Sequence, residues 1–349
     1  MRKFNLIRLH LRYLLGVGAI FFLPFLAGCQ KNGLEALERD VIKLRQKVGQ
    51  YVVCLVANNV KNKSVKLGSG IIVDENHILV TENFLGDIGK MRIMLQDGRI
   101  IEDSQIVNAC CDFETNLSLL EVKGVKLRPV ERIFKGKPES GTLGVALFNS
   151  QYSKGLCAIL GSVNPSWIGG DDIYDEELLI FNPLSGPLYS GTPVFNTKGE
   201  LLGLVEGRLE EKDGMVLLVP ANTCQKVSKV LRENGRIERG WIGIASDKAC
   251  KNEKLARIME KSAKGILITE VVEKSPAQTC GLKPGDIIMR CNGEEVNCKT
   301  EFRKKVSSQT IGSSLVLGVV RQGKEMDFKV KVEPRPEVPA KRRCPNRPI

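Results

Sequence analysis

The rhythm of hydrophobic and polar positions changes several times along this chain. Residues 1–12 carry basic side chains, and from Tyr13 to Gly28 an uncharged, largely apolar run follows. Leu34, Leu37, Val41, Leu44 and Val48 then recur at spacings of three and four, with charged residues between them. That period predicts an amphipathic helix. Two heptads are too short to define a coiled coil, so the helix is a stalk, an oligomer contact or a cover for the unit behind it.

From Tyr51 to about Pro220 the pattern turns to short β-rich runs: Tyr51–Ala57, Gly70–Val73, Ile78–Val80, Met91–Leu95, Leu117–Val122, Thr142–Phe148 and Leu201–Val205. Turn pairs such as Asp97-Gly98, Lys198-Gly199 and Asp213-Gly214 separate them. Many short strands at this spacing predict an antiparallel barrel or a pair of barrels. A helical stretch over Ala221–Asn234, stopped by Asn234-Gly235, closes the unit. The expected organisation is an export signal (1–28), a helical stalk (29–50), the β unit (51–234), a second folded unit (239–334) and a basic, proline-rich tail (335–349).

Composition narrows the functional classes. With 349 residues there is room for two or three domains, and 42% hydrophobic with 26% charged residues is ordinary globular usage. The formal charge of +12 would suggest nucleic acid, but the excess collects at the ends. Arg2, Lys3, Arg8 and Arg12 precede the apolar run, and Arg335, Lys341, Arg342, Arg343 and Arg347 crowd the tail. No basic stripe with interleaved aromatics lies between them, so nucleic acid is not an expected partner.

The N-terminal run is short for a spanning helix and reads as the core of a secretory signal. It ends in Leu26-Ala27-Gly28-Cys29, which resembles a bacterial lipobox. On that resemblance Cys29 takes a diacylglycerol, and the chain is an exported, membrane-anchored lipoprotein, on the periplasmic side where the cell has two membranes. Gln30 is compatible with sorting to an outer membrane. An uncleaved anchor is the other reading. Ten further cysteines include no Cys-x-x-Cys pair and no Cys/His cluster, so neither a metal nor another cofactor is expected. Cys54, Cys157, Cys280 and Cys291 read as buried thiols, and the neighbours Cys110 and Cys111 are poorly placed to bond each other.

Three stretches of the β unit carry a resemblance. They are Gly68–Val73 with Ile78–Leu85, then Asp112–Leu120, then Pro187–Asn196. In this order they resemble the trypsin-like protease domain of the HtrA (DegP/DegS) family, around its histidine, aspartate and serine. The resemblance implies a double antiparallel β-barrel, serine endopeptidase chemistry and frequent assembly as trimers. It also places Asn83 at the histidine position, Asn116 at the aspartate position and Ser190 at the nucleophile.

The departures from that pattern matter more. A serine hydroxyl is a poor nucleophile without a base to take its proton, and an asparagine amide is not a base near neutral pH. Loss of the base costs on the order of a millionfold in related chemistry, and loss of the aspartate about ten thousandfold. Leu188 and Thr192 replace glycines in the loop that shapes the oxyanion site. His77 is the only histidine besides His10 of the signal, and it precedes Asn83 by the length of a strand. Ser190 is then a turn serine in Ser-Gly-Thr-Pro or a vestigial nucleophile.

Residues 239–334 resemble the PDZ domain of the same family, through Arg239-Gly240-Trp241-Ile242-Gly243-Ile244, Gly265–Val271 and the turn-rich Ser275–Ile288. Such a domain binds an extended peptide by strand addition. The resemblance implies that Trp241, Ile242, Gly243 and Ile244 receive a peptide's terminal carboxylate and its hydrophobic last residue. The expected fold is mostly β, a trypsin-like double barrel followed by one PDZ domain. The expected function is a lipoprotein pseudoprotease that binds unfolded or C-terminal peptides with hydrophobic ends, as chaperone, adaptor or sensor. The alternatives are an active endopeptidase that uses Ser190 with an unusual base, and a scaffold that neither binds nor cleaves.

Overall fold

The computed structural model describes residues 33–60, 63–86, 88–112, 114–149, 156–165, 178–184, 188–208, 214–248, 265–296 and 299–336. The lipobox with Cys29, Pro187 of the serine loop and the tail beyond residue 336 lie outside the described residues.

The first sheet has seven strands: β1 (Val52–Asn59), β2 (Val65–Ile72), β3 (His77–Thr81), β4 (Ile88–Met94), β5 (Ile100–Ile101), β6 (Ile106–Asp112) and β7 (Leu117–Val122). Their order is β5-β4-β1-β2-β3-β7-β6, antiparallel throughout. Period-two patterning sets which face is inward. In β4, Met91 and Ile93 are buried while Lys90 and Arg92 face water. Between β3 and β4 stands a single helical turn, Glu82–Leu85.

The second sheet closes on itself. Its strands are β8 (Thr142–Asn149), β9 (Leu156–Pro165), β10 (Leu179–Pro183), β11 (Pro193–Asn196), β12 (Leu201–Arg208) and β13 (Val216–Pro220). They run β10-β13-β12-β11-β8-β9, and β10 pairs with β9 to complete the barrel. The pair of β units expected from the strand spacing is therefore present, one as an open seven-stranded sheet and one as a closed barrel.

One apolar cluster joins the two. Ile71, Leu79 and Leu117 of the first sheet pack with Val145, Phe195 and Leu204 of the barrel. The helix over residues 33–48 covers this cluster with Val41, Leu44 and Val48, while Leu34 stays exposed. The helix Ala221–Asn234 adds Val227 and Leu231. It stops at Gly235 in a left-handed conformation, whose N–H caps the carbonyl of Leu231 at 2.8 Å.

The C-terminal unit is α+β. It comprises β14 (Gly240–Trp241), β15 (Ile244–Lys248), β16 (Ile266–Val271), β17 (Ile287–Cys291), β18 (Glu294–Glu295), β19 (Ser314–Arg321), β20 (Lys324–Lys331) and β21 (Glu333–Pro334). The main sheet runs β15-β16-β17-β19-β20, with β15 on its edge, and β14 pairs with β21 beside it. The helix Lys299–Ser307 covers the core with Phe302 and Val306. A buried ion pair pins the Lys283–Asp286 turn. Asp286, 1% exposed, accepts Arg321 Nε at 2.6 Å, Arg321 Nη2 at 2.7 Å and the Lys283 N–H at 2.8 Å.

Cys54, Cys110, Cys157, Cys224, Cys280 and Cys291 are not disulfide-bonded, whereas Cys111 is. Burial pushes the Cys110, Cys280 and Cys291 thiols up, away from the reactive thiolate.

Candidate functional site: a serine cluster at the seam and a peptide groove

Asn83, Asn116 and Ser190 come from three elements, and the chain brings them together around one residue, Glu206, whose carbonyl meets Asn83 and Ser190 and whose carboxylate meets Asn116. Asn83 sits in the helical turn after β3. Phe84 beside it is buried in the first sheet, over Gly68, where any Cβ would meet the ring at 2.4 Å. Lys66 Nζ closes the turn from outside, donating to the carbonyls of Asn83 at 2.7 Å and Gly86 at 3.0 Å. Anchored in this way, Asn83 is exposed, and its Nδ2 reaches the Glu206 carbonyl at 3.4 Å.

Asn116 ends the turn before β7 with φ 54°, a left-handed conformation that asparagine tolerates better than most residues. Its carbonyl accepts the Glu82 N–H at 2.8 Å, and its Oδ1 accepts the Asn83 N–H at 3.1 Å. The amide nitrogen Nδ2 donates to Glu206 Oε1 at 2.7 Å. Both side chains are buried, Asn116 at 7% and Glu206 at 5% exposure. This contact decides what position 116 can be. A carboxylate there would set two buried negative charges against each other, whereas the amide satisfies Glu206.

Ser190 is held by two partners among the described residues. Its Oγ donates to the Glu206 carbonyl at 3.0 Å and lies 2.6 Å from Thr81 Oγ1. Neither partner is a base. The Ser190 carbonyl accepts the Ser69 N–H at 3.1 Å, which seats the loop on β2. Gly191 follows with φ +81°, and a Cβ there would stand 2.0 Å from the Ser69 carbonyl oxygen. Only glycine fits so close an approach. Leu188 is buried in the barrel core, so a packed side chain anchors this end of the loop.

His77 is elsewhere. It opens β3 opposite Glu121, with Nδ1 2.7 Å from Asp74 Oδ1. Four residues of strand separate it from Thr81, about 13 Å, so it does not reach Ser190. Thr81 and Glu206 were not singled out from the sequence. Glu206 had one visible signal, an acidic residue inside the apolar run of β12; Thr81 had none.

The second site is a groove of about 450 Å³ between β15 and the helix Lys299–Ser307. Trp241, Ile242, Gly243 and Ile244 all line it. The carbonyls of Ile242 and Gly243 are taken from inside by the N–H groups of Ala277 at 2.8 Å and Val272 at 2.9 Å. In a trans peptide the N–H points opposite its carbonyl, so the N–H groups of Gly243 and Ile244 turn toward the groove. Gly243 has φ +86°, with Ser275 Cβ where its own Cβ would be, at 2.1 Å. Ile242 is 2% exposed and belongs to the core, leaving half-buried Ile244 and Trp241 with Phe302 and Val306 as the apolar wall. Among the described residues no strand pairs with the outer edge of β15.

An ionic cluster connects the two sites. Arg239, just before the groove loop, makes a forked contact with Asp112, its Nη2 at 2.8 Å from Oδ2, and its Nε lies 3.2 Å from Glu114 Oε2. Arg335 also binds Glu114, and Thr115 Oγ1 donates to Asp112 at 2.6 Å. Asp112 and Glu114 flank the turn that presents Asn116. Among the described residues no group of His, Cys, Asp and Glu could hold a metal ion, and no helix is long and apolar enough to cross a membrane.

Comparison with known proteins agrees with this arrangement. Residues 242–332 match the family model of the PDZ domain. The chain is 30% identical over 281 residues to a probable periplasmic serine endoprotease, DegP-like, of Bartonella henselae, covering 79% of this chain and 54% of the relative. It is 26% identical over 283 residues to the periplasmic serine endoprotease DegP of Escherichia coli, covering 78% and 58%. The chain thus spans little more than half the length of these relatives. In fold it resembles the HtrA-type protease AlgW solved with a decapeptide, with a TM-score of 0.72 and 18% identity over 85% of this chain and 99% of that one. It also resembles the serine endoprotease of Yersinia pestis, with a TM-score of 0.68 and 22% identity over 84% and 97%. The chain belongs to the HtrA/DegP-like serine protease family with a C-terminal PDZ domain.

Proposed function

We propose that this chain is a pseudoprotease of its family, an exported lipoprotein that binds unfolded or C-terminal peptide segments in envelope protein quality control. The observation that carries the loss of catalysis is the contact of Asn116 Nδ2 with buried Glu206 Oε1 at 2.7 Å. The aspartate of a working triad orients the base and stabilises its charged form. Here that position donates a hydrogen bond to a carboxylate, and the next partner in line is the amide of Asn83. The Ser190 proton is directed at a main-chain carbonyl, which cannot remove it.

Peptide binding rests on the groove. An incoming chain adds to the edge of β15, its carboxylate meets the N–H groups of Gly243 and Ile244, and its last side chain enters the wall of Ile244, Phe302 and Val306. The decapeptide held by an HtrA-type relative of the same fold supports this reading. The periplasmic names of the relatives support export, and anchoring through Cys29 and trimer assembly are part of the same proposal. Incubation of the full chain with labelled casein, beside Ser190→Ala, tests the catalytic half. Both proteins are expected to leave casein intact, and cleavage that disappears in Ser190→Ala overturns the pseudoprotease reading.

A further inference from the structure

The eleven cysteines divide in a way that points across the boundary between the two folded units. Cys111 is disulfide-bonded, while Cys54, Cys110, Cys157, Cys224, Cys280 and Cys291 are not. Its partner is therefore one of the other four, Cys29, Cys250, Cys298 and Cys344, which lie outside the described residues. Strand alternation accounts for the exclusion of the nearest thiol. Cys110 packs against the seam cluster and Cys111 against the first sheet's own cluster, so their sulfurs leave opposite faces of β6.

On the lipoprotein reading above, the sulfur of Cys29 carries the diacylglycerol as a thioether and has no valence left for a disulfide. Cys250, Cys298 and Cys344 remain, and all three follow Arg239, in the PDZ unit or the tail behind it.

The place of Cys111 suits a bond in that direction. It stands directly before Asp112 in β6, and Glu114 follows three residues on, at most about 10 Å along the chain. Both carboxylates are gripped from the PDZ side. Arg239 Nη2 lies 2.8 Å from Asp112 Oδ2, and Arg239 and Arg335 both hold Glu114. A disulfide needs its two Cα atoms within about 7 Å of each other, and these ion pairs bring the second unit up to the turn that Cys111 opens.

We propose that Cys111 forms a disulfide with Cys250, Cys298 or Cys344, a covalent staple between the unit of the serine cluster and the unit of the peptide groove. Forming the S–S bond removes two electrons and two protons from the two thiols. An exchanging disulfide such as oxidised glutathione accepts them and leaves as two thiols. Export to an oxidising compartment favours the bonded form. The bond closes a loop of more than a hundred residues, which restricts the unfolded chain strongly. Reduction leaves the ionic cluster without its covalent support, so the attachment of the groove to the serine unit depends on redox state.

Non-reducing peptide mapping of the full chain, oxidised with glutathione disulfide, tests this. Unlinked thiols are blocked with N-ethylmaleimide, the chain is digested, and linked peptides are sequenced by mass spectrometry. Cys110→Ser is mapped beside the parent, because neighbouring Cys110 and Cys111 fall in one peptide. The expected result in both is Cys111 joined to Cys250, Cys298 or Cys344. Cys111 found blocked, or joined to a cysteine of the first unit, overturns the staple. A bond to Cys29 overturns the staple and the lipid anchor together, whereas a diacylated Cys29 beside a blocked Cys111 sinks the staple alone. Thermal denaturation gives a second reading. Dithiothreitol is expected to lower the midpoint of the parent by several degrees and to leave that of Cys111→Ser unchanged. An equal response of the two proteins overturns the structural role of the bond.

Discussion

The loop around Ser190 and the loop at Gly243 are built alike and left in opposite states. Each uses a positive-φ glycine pressed against a neighbouring strand or turn, at Ser69 in one case and Ser275 in the other. At Ser190, however, the polar groups are spent on one another. The hydroxyl goes to Thr81 and the Glu206 carbonyl, and the Asn116 amide to the Glu206 carboxylate. At Gly243 the carbonyls are satisfied from inside, and the N–H groups face a groove beside an edge strand. A site whose donors and acceptors close on themselves is stable and has little left for a substrate. A site that keeps one row of backbone groups outward retains the means to add a strand. On the proposed function, the same family framework carries one site turned to structure and one turned to a ligand.

The comparison breaks most easily at the support of the groove. Arg321→Ala strands the Asp286 carboxylate, which is 1% exposed and otherwise bonded to Arg321 through two nitrogens. Removing one partner of a buried pair costs about 3–5 kcal/mol. Because the carbonyl of Asp286 accepts the Ile268 N–H at 2.8 Å, the damage passes into β16, the neighbour of β15. Thermal denaturation followed by circular dichroism is expected to show a midpoint lowered by several degrees, with peptide binding lost in parallel.

Asn116→Asp is the next largest change and sharpens the other side. It returns the residue type that the family pattern has there, yet it faces a buried carboxylate at hydrogen-bond distance. The donor is lost and a like charge is gained, for about 2–3 kcal/mol near neutral pH. Facing Glu206, the introduced carboxyl is expected to protonate more readily in the folded chain than in the unfolded one. The loss is therefore smallest below about pH 4, where the carboxyl is protonated whether or not the chain is folded, and it grows as pH rises toward neutrality. Urea titrations at pH 4 and pH 7 read this difference. Equal stability of variant and parent at pH 7 would show that the Asn116–Glu206 contact is not what fixes the residue.

How far the sequence disclosed all this depended on patterning. Leu117–Val122 and Ala221–Asn234 were legible to the residue, because an apolar run or a helical period ends there at a turn signal. β9 was not, since Leu156–Pro165 mixes glycine, serine and asparagine into its strand and has no alternation to follow. β2 begins at Val65, five residues before the predicted run, because Lys66, Gly68 and Ser69 break the apolar pattern while still pairing with β1. In the serine cluster Asn83, Asn116 and Ser190 could be singled out through the resemblance of their local motifs. Glu206 and Thr81 could not, because their roles depend on contacts between the two sheets.

The smallest effect concerns His77 and asks whether the far end of β3 is coupled to the serine cluster. Asp74 opposes His77. Burial pushes the Asp74 carboxyl up, but the Asn76 N–H, His77 and Arg232 outweigh burial and hold it below its ordinary value. A carboxylate depressed in the folded chain contributes stability above its unfolded pKa of about 3.9, and that contribution is lost as pH falls through the folded value. The group is a quarter exposed, so the contribution is modest. Asp74→Asn should leave a chain slightly less stable at pH 7 and flatten the fall in stability below about pH 4, as read by denaturant midpoints across pH 2.5–7. Because His77 and Arg232 meet Asp74 on the far end of β3 from Ser190, the same variant should bind peptides and treat casein as the parent does. A change in either would mean that the two ends of β3 are coupled, and that the serine cluster is less self-contained than its hydrogen bonds indicate.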